Sequence, residues 1–274
     1  MKIFRYRNIY YGKVKEKVLP IGDFKVEYFL DKDWIGEMEK DIEKNGFIMN
    51  LPEKLDPPVE TRRIMALGLN YMDHARETGQ KIPEEPVWFE KSITSITGHG
   101  HPVIYPKIVR ELDYEVELAV VIGKRGKYIK KEDAYEYIAG YTIMNDVSAR
   151  DHQFRYAGQW FVGKSFDTFA PIGPVLVDKW EIGDPHNLNL ETKINGEIRQ
   201  KSNTSNLIFK IDFLIEFISN VLTLESGDII STGTPGGVGF ARKPPMLLKI
   251  GDKMDLTIEK IGTLSNTIVE EKNL

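Results

Sequence analysis

The chain has 274 residues, enough for one large domain or one domain with a small companion. Lysine and arginine number 37 against 41 aspartates and glutamates, so the net charge is −4, which gives no support for nucleic acid or an anionic membrane as partner. A hydrophobic content of 41% excludes wholesale disorder, and the absence of cysteine excludes a disulfide scaffold, thiolate metal ligands and a cysteine nucleophile.

The first residues, MKIFRYRNIYYGKV, are charged and lack an apolar core, so no signal peptide is expected. No apolar run approaches the ~20 residues of a membrane helix. A cytoplasmic protein without membrane or nucleic-acid partners is the expectation, and Asn203-Thr204-Ser205 is then a chance sequon. Residues 1–58 read as a small N-terminal domain and 59–274 as the main body. Phe24 to Leu30 reads as a strand and Trp34 to Lys44 as a charged helix. Pro57-Pro58 can continue neither a helix nor an inner strand, so the linker is placed there.

Strands are predicted at Ile64 to Leu67, Val116 to Ile122, Tyr141 to Met144 and Pro171 to Val177, with a short helix over Lys131 to Ile138. Met254, Leu256 and Ile258 alternate as on a half-buried strand. Ile211, Leu214, Ile215, Ile218, Val221 and Leu222 recur at helical spacing, and Ser226-Gly227-Asp228 follows as a turn. Regular βαβ alternation is lacking. The fold class expected is α+β, mainly β, not a Rossmann fold or TIM barrel.

Chemistry concentrates at Asp113-Tyr114-Glu115-Val116-Glu117-Leu118. Glu115 and Glu117 are two apart at the start of an apolar strand, so both point to one face. Paired carboxylates repel, and a hard divalent cation removes that cost. Asp146, just past a second apolar strand, offers a third carboxylate. Taken alone, an E-x-E pair more often lines a solvated face. His99-Gly100-His101 could pair imidazoles on zinc but reads better as a structural loop. Gly233-Thr234-Pro235-Gly236-Gly237-Val238-Gly239 lacks the lysine of a phosphate-binding loop; it suits either close backbone approach to a small ligand or a plain turn. No G-x-S-x-G elbow is present. His74 and Glu77 are i and i+3, where one helical turn would let the carboxylate orient the imidazole; a plain surface pair is the commoner use of that spacing.

Several ordered segments together resemble the fumarylacetoacetate hydrolase superfamily, in particular its short acylpyruvate hydrolase and 2-hydroxyhepta-2,4-diene-1,7-dioate isomerase members. They are Gly68-Leu69-Asn70-Tyr71 with His74 and Glu77, the Asp113 to Leu118 stretch, Asn145 to Gln153, Gly163 to Thr168, Thr232-Gly233-Thr234-Pro235 and Ile261 to Leu264. The resemblance spans roughly residues 64 to 270. It implies a mixed β-sheet roll with a small N-terminal domain, usually a homodimer. It implies one Mg²⁺ or Mn²⁺ per subunit on Glu115, Glu117 and Asp146. Arg150, Gln153, Gly233 and Thr234 are expected at the substrate, with Lys164 beside the developing oxyanion. His74 and Glu77 are expected on a mobile lid, running through Gly79 to Pro83 and Pro86, as a dyad that activates water. Glu90 departs from the family's usual neutral residue, and the Trp88 and Glu90 environment is expected to alter the pocket's size or charge.

The first functional expectation is a hydrolase that cleaves a C–C bond in a 2,4-dioxo acid of acylpyruvate or fumarylpyruvate type through a metal-stabilised enolate. The alternative is an isomerase or decarboxylase of an unsaturated or dicarboxylic 2-oxo acid, of the homoprotocatechuate-pathway type or oxaloacetate. A sugar-acid dehydratase or hydrolase is a further use of the same fold. A binding protein without turnover is disfavoured by the presence of His74, Glu77 and Lys164 together.

Overall fold

A computed structural model describes residues 1–155 and 158–272. The chain begins with β1 (Lys2–Tyr6), β2 (Ile9–Val14) and β3 (Lys17–Gly22), then helix α1 (Lys32–Asn45) and β4 (Phe47–Ile48). The main body opens with β5 (Ile64–Gly68), helix α2 (Met72–Thr78), β6 (Val87–Lys91), β7 (Ile96–Thr97), β8 (Val103–Tyr105), β9 (Leu112–Asp113) and β10 (Val116–Ile122). Next come β11 (Ile138–Asn145), β12 (Ser148–Ala149), the short helices α3 (Arg150–Gln153) and α4 (Phe161–Lys164), β13 (Ala170–Asp178) and α5 (Lys179–Ile182). The remainder is β14 (Asn189–Ile194), β15 (Glu197–Asn203), α6 (Ile211–Val221), β16 (Ile229–Ser231), β17 (Lys253–Ile258) and β18 (Gly262–Glu270).

Among the described residues the strands form one large mixed sheet, a five-stranded sheet and a two-stranded ribbon. The large sheet runs β4-β3-β2-β1-β13-β11-β10-β16-β5-β6, with β7 beside β13. The five-stranded sheet runs β15-β14-β17-β18-β8, and β9 pairs with β12. Every residue of β10 and β11 is buried, which explains why Val116 to Ile122 is an apolar run rather than an alternation. Val116, Leu118, Val120 and Ile122 pack in a cluster with Leu214 and Ile218 of α6 and Met254 and Leu256 of β17. Ala119 and Val121 face the opposite cluster, with Ile3, Phe29, Ile35 and Ile42. Elements on both sides thus hold the central strands, each buried aliphatic side chain contributing about 1.5–3 kcal/mol.

The N-terminal segment extends the large sheet through antiparallel pairing of Lys2 with Val177 and Ile3 with Leu176, so the boundary expected near residue 58 does not interrupt it. Phe24 to Leu30 departs from the sequence reading. Val26–Leu30 is a 3₁₀ turn, not a strand. Phe24, Phe29 and Trp34 form an aromatic cluster there, with Phe24 and Phe29 centroids 5.2 Å apart, and tertiary packing overrides the alternation. Asp31 then caps α1 by accepting from the Asp33 and Trp34 N–H groups. No helix among the described residues is long and apolar enough to cross a membrane.

Candidate active site

The acidic cluster forms where β10 and β11 lie side by side. Val116 pairs with Asn145, and the Asp146 N–H donates to the Glu115 carbonyl at 2.9 Å. Glu115, Glu117 and Asp146 therefore converge: one oxygen from each lies within 4.8 Å of the others, and all three residues are buried. Helix α3, directly after β12, brings Arg150, and α4 brings Lys164. An added Cβ on Gly163 would lie 2.4 Å from the Gln153 amide nitrogen, so glycine lets α4 settle directly on α3.

Three cations meet these carboxylates. Lys164 Nζ donates to Glu115 Oε2 and Asp146 Oδ2, each at 2.7 Å. Arg150 donates to Glu115 Oε1 at 2.6 Å, Asp113 Oδ2 at 2.9 Å and Gln153 Oε1 at 2.9 Å. Lys91 donates to Asp146 Oδ1 at 2.5 Å and the Val147 carbonyl at 3.2 Å. Burial alone would raise Glu115, but Arg150 and Lys164 outweigh it and hold its carboxyl at about 2. Burial would likewise lower Lys164, and Asp146 and Glu115 reverse that. Burial does push Lys91 down, against the pull of Asp146.

Glu117 is the exception. Its Oε2 accepts from the Ser231 hydroxyl and, at 3.1 Å, from the Gly233 N–H. Its Oε1 is buried without a hydrogen-bond partner. Burial, then Asp146 and Glu115, push its carboxyl well above the ordinary range. Counted as ionised, the four acids Asp113, Glu115, Glu117 and Asp146 outnumber the three bases Lys91, Arg150 and Lys164 by one charge. An all-carboxylate donor set with an unpartnered buried oxygen fits a hard divalent cation of the Mg²⁺ or Mn²⁺ type.

Above the cluster, His74, Glu115, Arg150, Gln153, Lys164 and Thr234 line one cleft. Thr234 is fixed there by donating to the Val116 carbonyl and accepting from Gln200 Nε2. Gly233 does not line the cleft; its amide supports Glu117 instead. Glu77 also stays off the cleft wall. Its Oε2 lies 3.6 Å from His74 Nδ1 and accepts the Gly237 N–H at 2.8 Å. Asp73 adds two bonds, from Ser202 Oγ at 2.5 Å and the Gly236 N–H at 3.4 Å. The expected lid thus carries helix α2, tied at Asp73 and Glu77 to the glycine-rich loop.

Sequence reasoning missed Lys91, Asp113 and the aromatic residues of the cleft, Phe89, Trp160 and Phe240. Lys91 lies on β6, where Phe89 and Lys91 are buried and Glu90 between them is exposed. Glu90 therefore points away from the pocket it was expected to reshape. His99 Nδ1 accepts the Ser265 N–H at 3.0 Å, in keeping with a structural loop.

Residues 63–269 match the family of the fumarylacetoacetate (FAA) hydrolase C-terminal domain. An oxaloacetate tautomerase of Bacillus subtilis (strain 168) is 52% identical over 232 residues, covering 82% of this chain and 77% of that protein. The fumarylacetoacetate hydrolase from psychrophilic Exiguobacterium antarcticum superposes with a TM-score of 0.86 at 33% identity, over 99% of this chain and 100% of that one. The 5-carboxymethyl-2-hydroxymuconate delta-isomerase from Mycobacterium smegmatis gives 0.78 at 35% identity, over the whole of both chains. With its ordered motifs, its mixed-sheet fold and these similarities, the chain belongs to the fumarylacetoacetate hydrolase family.

Proposed function

We propose that the protein is a divalent-metal-dependent isomerase that interconverts the enol and keto forms of oxaloacetate. The 52% identity over 232 residues to an oxaloacetate tautomerase carries this reading. It replaces the C–C bond hydrolase expected first from the sequence. Glu115, Glu117 and Asp146 would hold the cation, which polarises the carbonyl of a 2-oxo acid when bound. Lys164 and Arg150 set positive charge beside the carboxylate cluster, where the substrate's negative oxygens belong. Ketonisation moves one proton: the enol O–H gives one up and C3 gains one. His74, on the cleft wall, is the group assigned to the proton at C3. The reaction consumes no water and breaks no C–C bond, so a water-activating dyad is not required of Glu77.

The decisive assay follows decay of the oxaloacetate enol absorbance with Mg²⁺ and with EDTA, alongside pyruvate release from acylpyruvates. Mg²⁺-dependent acceleration of tautomerisation, with pyruvate release near background, is expected. Pyruvate release faster than tautomerisation overturns the reading. A homodimer is part of the proposal, and a monomer-sized species in sedimentation at micromolar concentration counts against it.

A further inference from the structure

We propose that Trp160 sets the length of substrate the cleft accepts, its indole forming an end wall seated on Gly68. The proposal rests on reading the cleft as a 2-oxo acid site. Gly68 is the last residue of β5, and an added Cβ there would lie 2.0 Å from Trp160 Cζ3 and 2.4 Å from Cη2. The six-membered edge of the indole therefore lies in the space that any other residue at 68 would fill. Phe89 backs the same ring edge to face, with centroids 5.4 Å apart and planes at 67°. Lys164 Nζ sits 5.2 Å from the centroid of Phe89.

These contacts form one continuous arm from the charged cluster outward: the Glu115 and Asp146 carboxylates, the Lys164 ammonium, the Phe89 ring, then the indole over Gly68. Trp160 also opens α4, and its carbonyl accepts the Lys164 N–H at 3.1 Å. One helical turn thus fixes the spacing between the ammonium and the wall. The polar head of a 2-oxo acid belongs with Lys164 and Arg150, whose charges sit at the carboxylate end. A carbon chain leaving that head along Phe89 meets the indole. Phe89 and Trp160 offer that chain no cation, so the wall selects by length rather than by charge.

The test measures binding of straight-chain 2-oxo acids, from pyruvate to 2-oxooctanoate, to the Mg²⁺-loaded protein by calorimetry. In the wild type, affinity should fall once the chain outgrows the wall. In W160A the ratio of long-chain to short-chain affinity should rise by about 10-fold or more, the scale on which an apolar pocket resolves single methylenes. Gly68→Ala should shift the same ratio in the wild type and have no further effect in a W160A background, because the clash it creates is with the indole alone. Identical length profiles in folded wild type and W160A overturn the wall, as does an effect of Gly68→Ala that persists without Trp160. Oxaloacetate tautomerisation is measured in parallel. A length cutoff that moves with Trp160 in a protein lacking that activity supports the wall and overturns the proposed reaction. Failure of every 2-oxo acid to bind overturns both.

Discussion

Lys91 Nζ donates to Asp146 Oδ1 at 2.5 Å, and neither side chain has exposed surface. The lysine comes from β6 at the edge of the large sheet and the aspartate from the end of β11 near its middle, so this bond ties the acidic cluster to a distant element. Lys91→Met leaves Asp146 beside Glu117 with one cation fewer. Breaking a buried pair by removing one partner costs about 3–5 kcal/mol. Urea unfolding without metal should show a loss of that order. The rise in melting temperature on adding Mg²⁺ should be larger than in the wild type, since the variant leaves more negative charge for the cation to offset. Equal unfolding midpoints with and without Lys91 would remove it from the site's framework.

The strands that carry the site were legible because their burial is written in their composition. Val116 to Ile122 and the alternation of Met254, Leu256 and Ile258 admit few other readings, and the apolar stripe of α6 is buried at Ile211, Leu214, Ile215 and Ile218, while Val221, expected on the same stripe, is exposed. Two-residue spacing on a strand gave Glu115 and Glu117 a common face, and the family resemblance, not the spacing, joined Asp146 to them as a metal site. What stayed hidden depends on long-range pairing. Lys91 reads as one charge among many until β5 and β6 place its face against β11. Asp113 looks like a fourth acid of the cluster, yet it accepts from Arg150 and from the Gly239 and Phe240 amides. Trp160 matters because Gly68, 92 positions away in the sequence, has no side chain.

Glu117 makes stability depend on pH in a direction opposite to that of most surface acids. Burial, Asp146 and Glu115 raise its carboxyl in the folded chain, so the folded state holds a proton that the unfolded state releases at lower pH. Its contribution is complete below the ordinary carboxylate range and is lost as pH rises through the raised folded value. In EDTA, unfolding free energy should decline as pH climbs from the ordinary carboxylate range toward neutrality. Glu117→Gln should flatten that decline, and Mg²⁺ should flatten it in the wild type. A metal-free pH profile unchanged by Glu117→Gln would show that the strain lies elsewhere.

Asp73 and Glu77 hold α2 to the loop at Gly236 and Gly237. Burial opposes ionisation of Glu77, but His74 and the Gly237 N–H together keep its carboxyl below the usual range. Glu77→Gln keeps an oxygen for the Gly237 amide and removes only the charge facing His74. Glu77→Ala removes both. If the residue acts mainly as a latch, Glu77→Gln should retain turnover within about 3-fold, while Glu77→Ala and Asp73→Ala speed amide exchange across residues 72–79 and lower kcat by about 10-fold. Equal, large losses in Glu77→Gln and Glu77→Ala would instead assign the charge a role through His74.

His74 separates tautomerisation from C–C cleavage. It is buried at the cleft wall, its Nδ1 has no hydrogen-bond partner, and Glu77 at 3.6 Å is too far for a good hydrogen bond. An imidazole on the cleft wall is placed to exchange a proton with a substrate carbon. His74→Ala should therefore lower oxaloacetate tautomerisation by about 10²-fold, the worth of a positioned acid–base group, while Mg²⁺ affinity stays near the wild-type value. The loss should fall on kcat more than on KM, because the proton moves only in the transition state. Proton exchange at C3 of oxaloacetate in D₂O, followed by NMR, should slow in parallel, since exchange and ketonisation share that step. If exchange persists at the wild-type rate while acylpyruvate cleavage is lost, His74 serves a nucleophilic water and the hydrolytic chemistry is restored to first place.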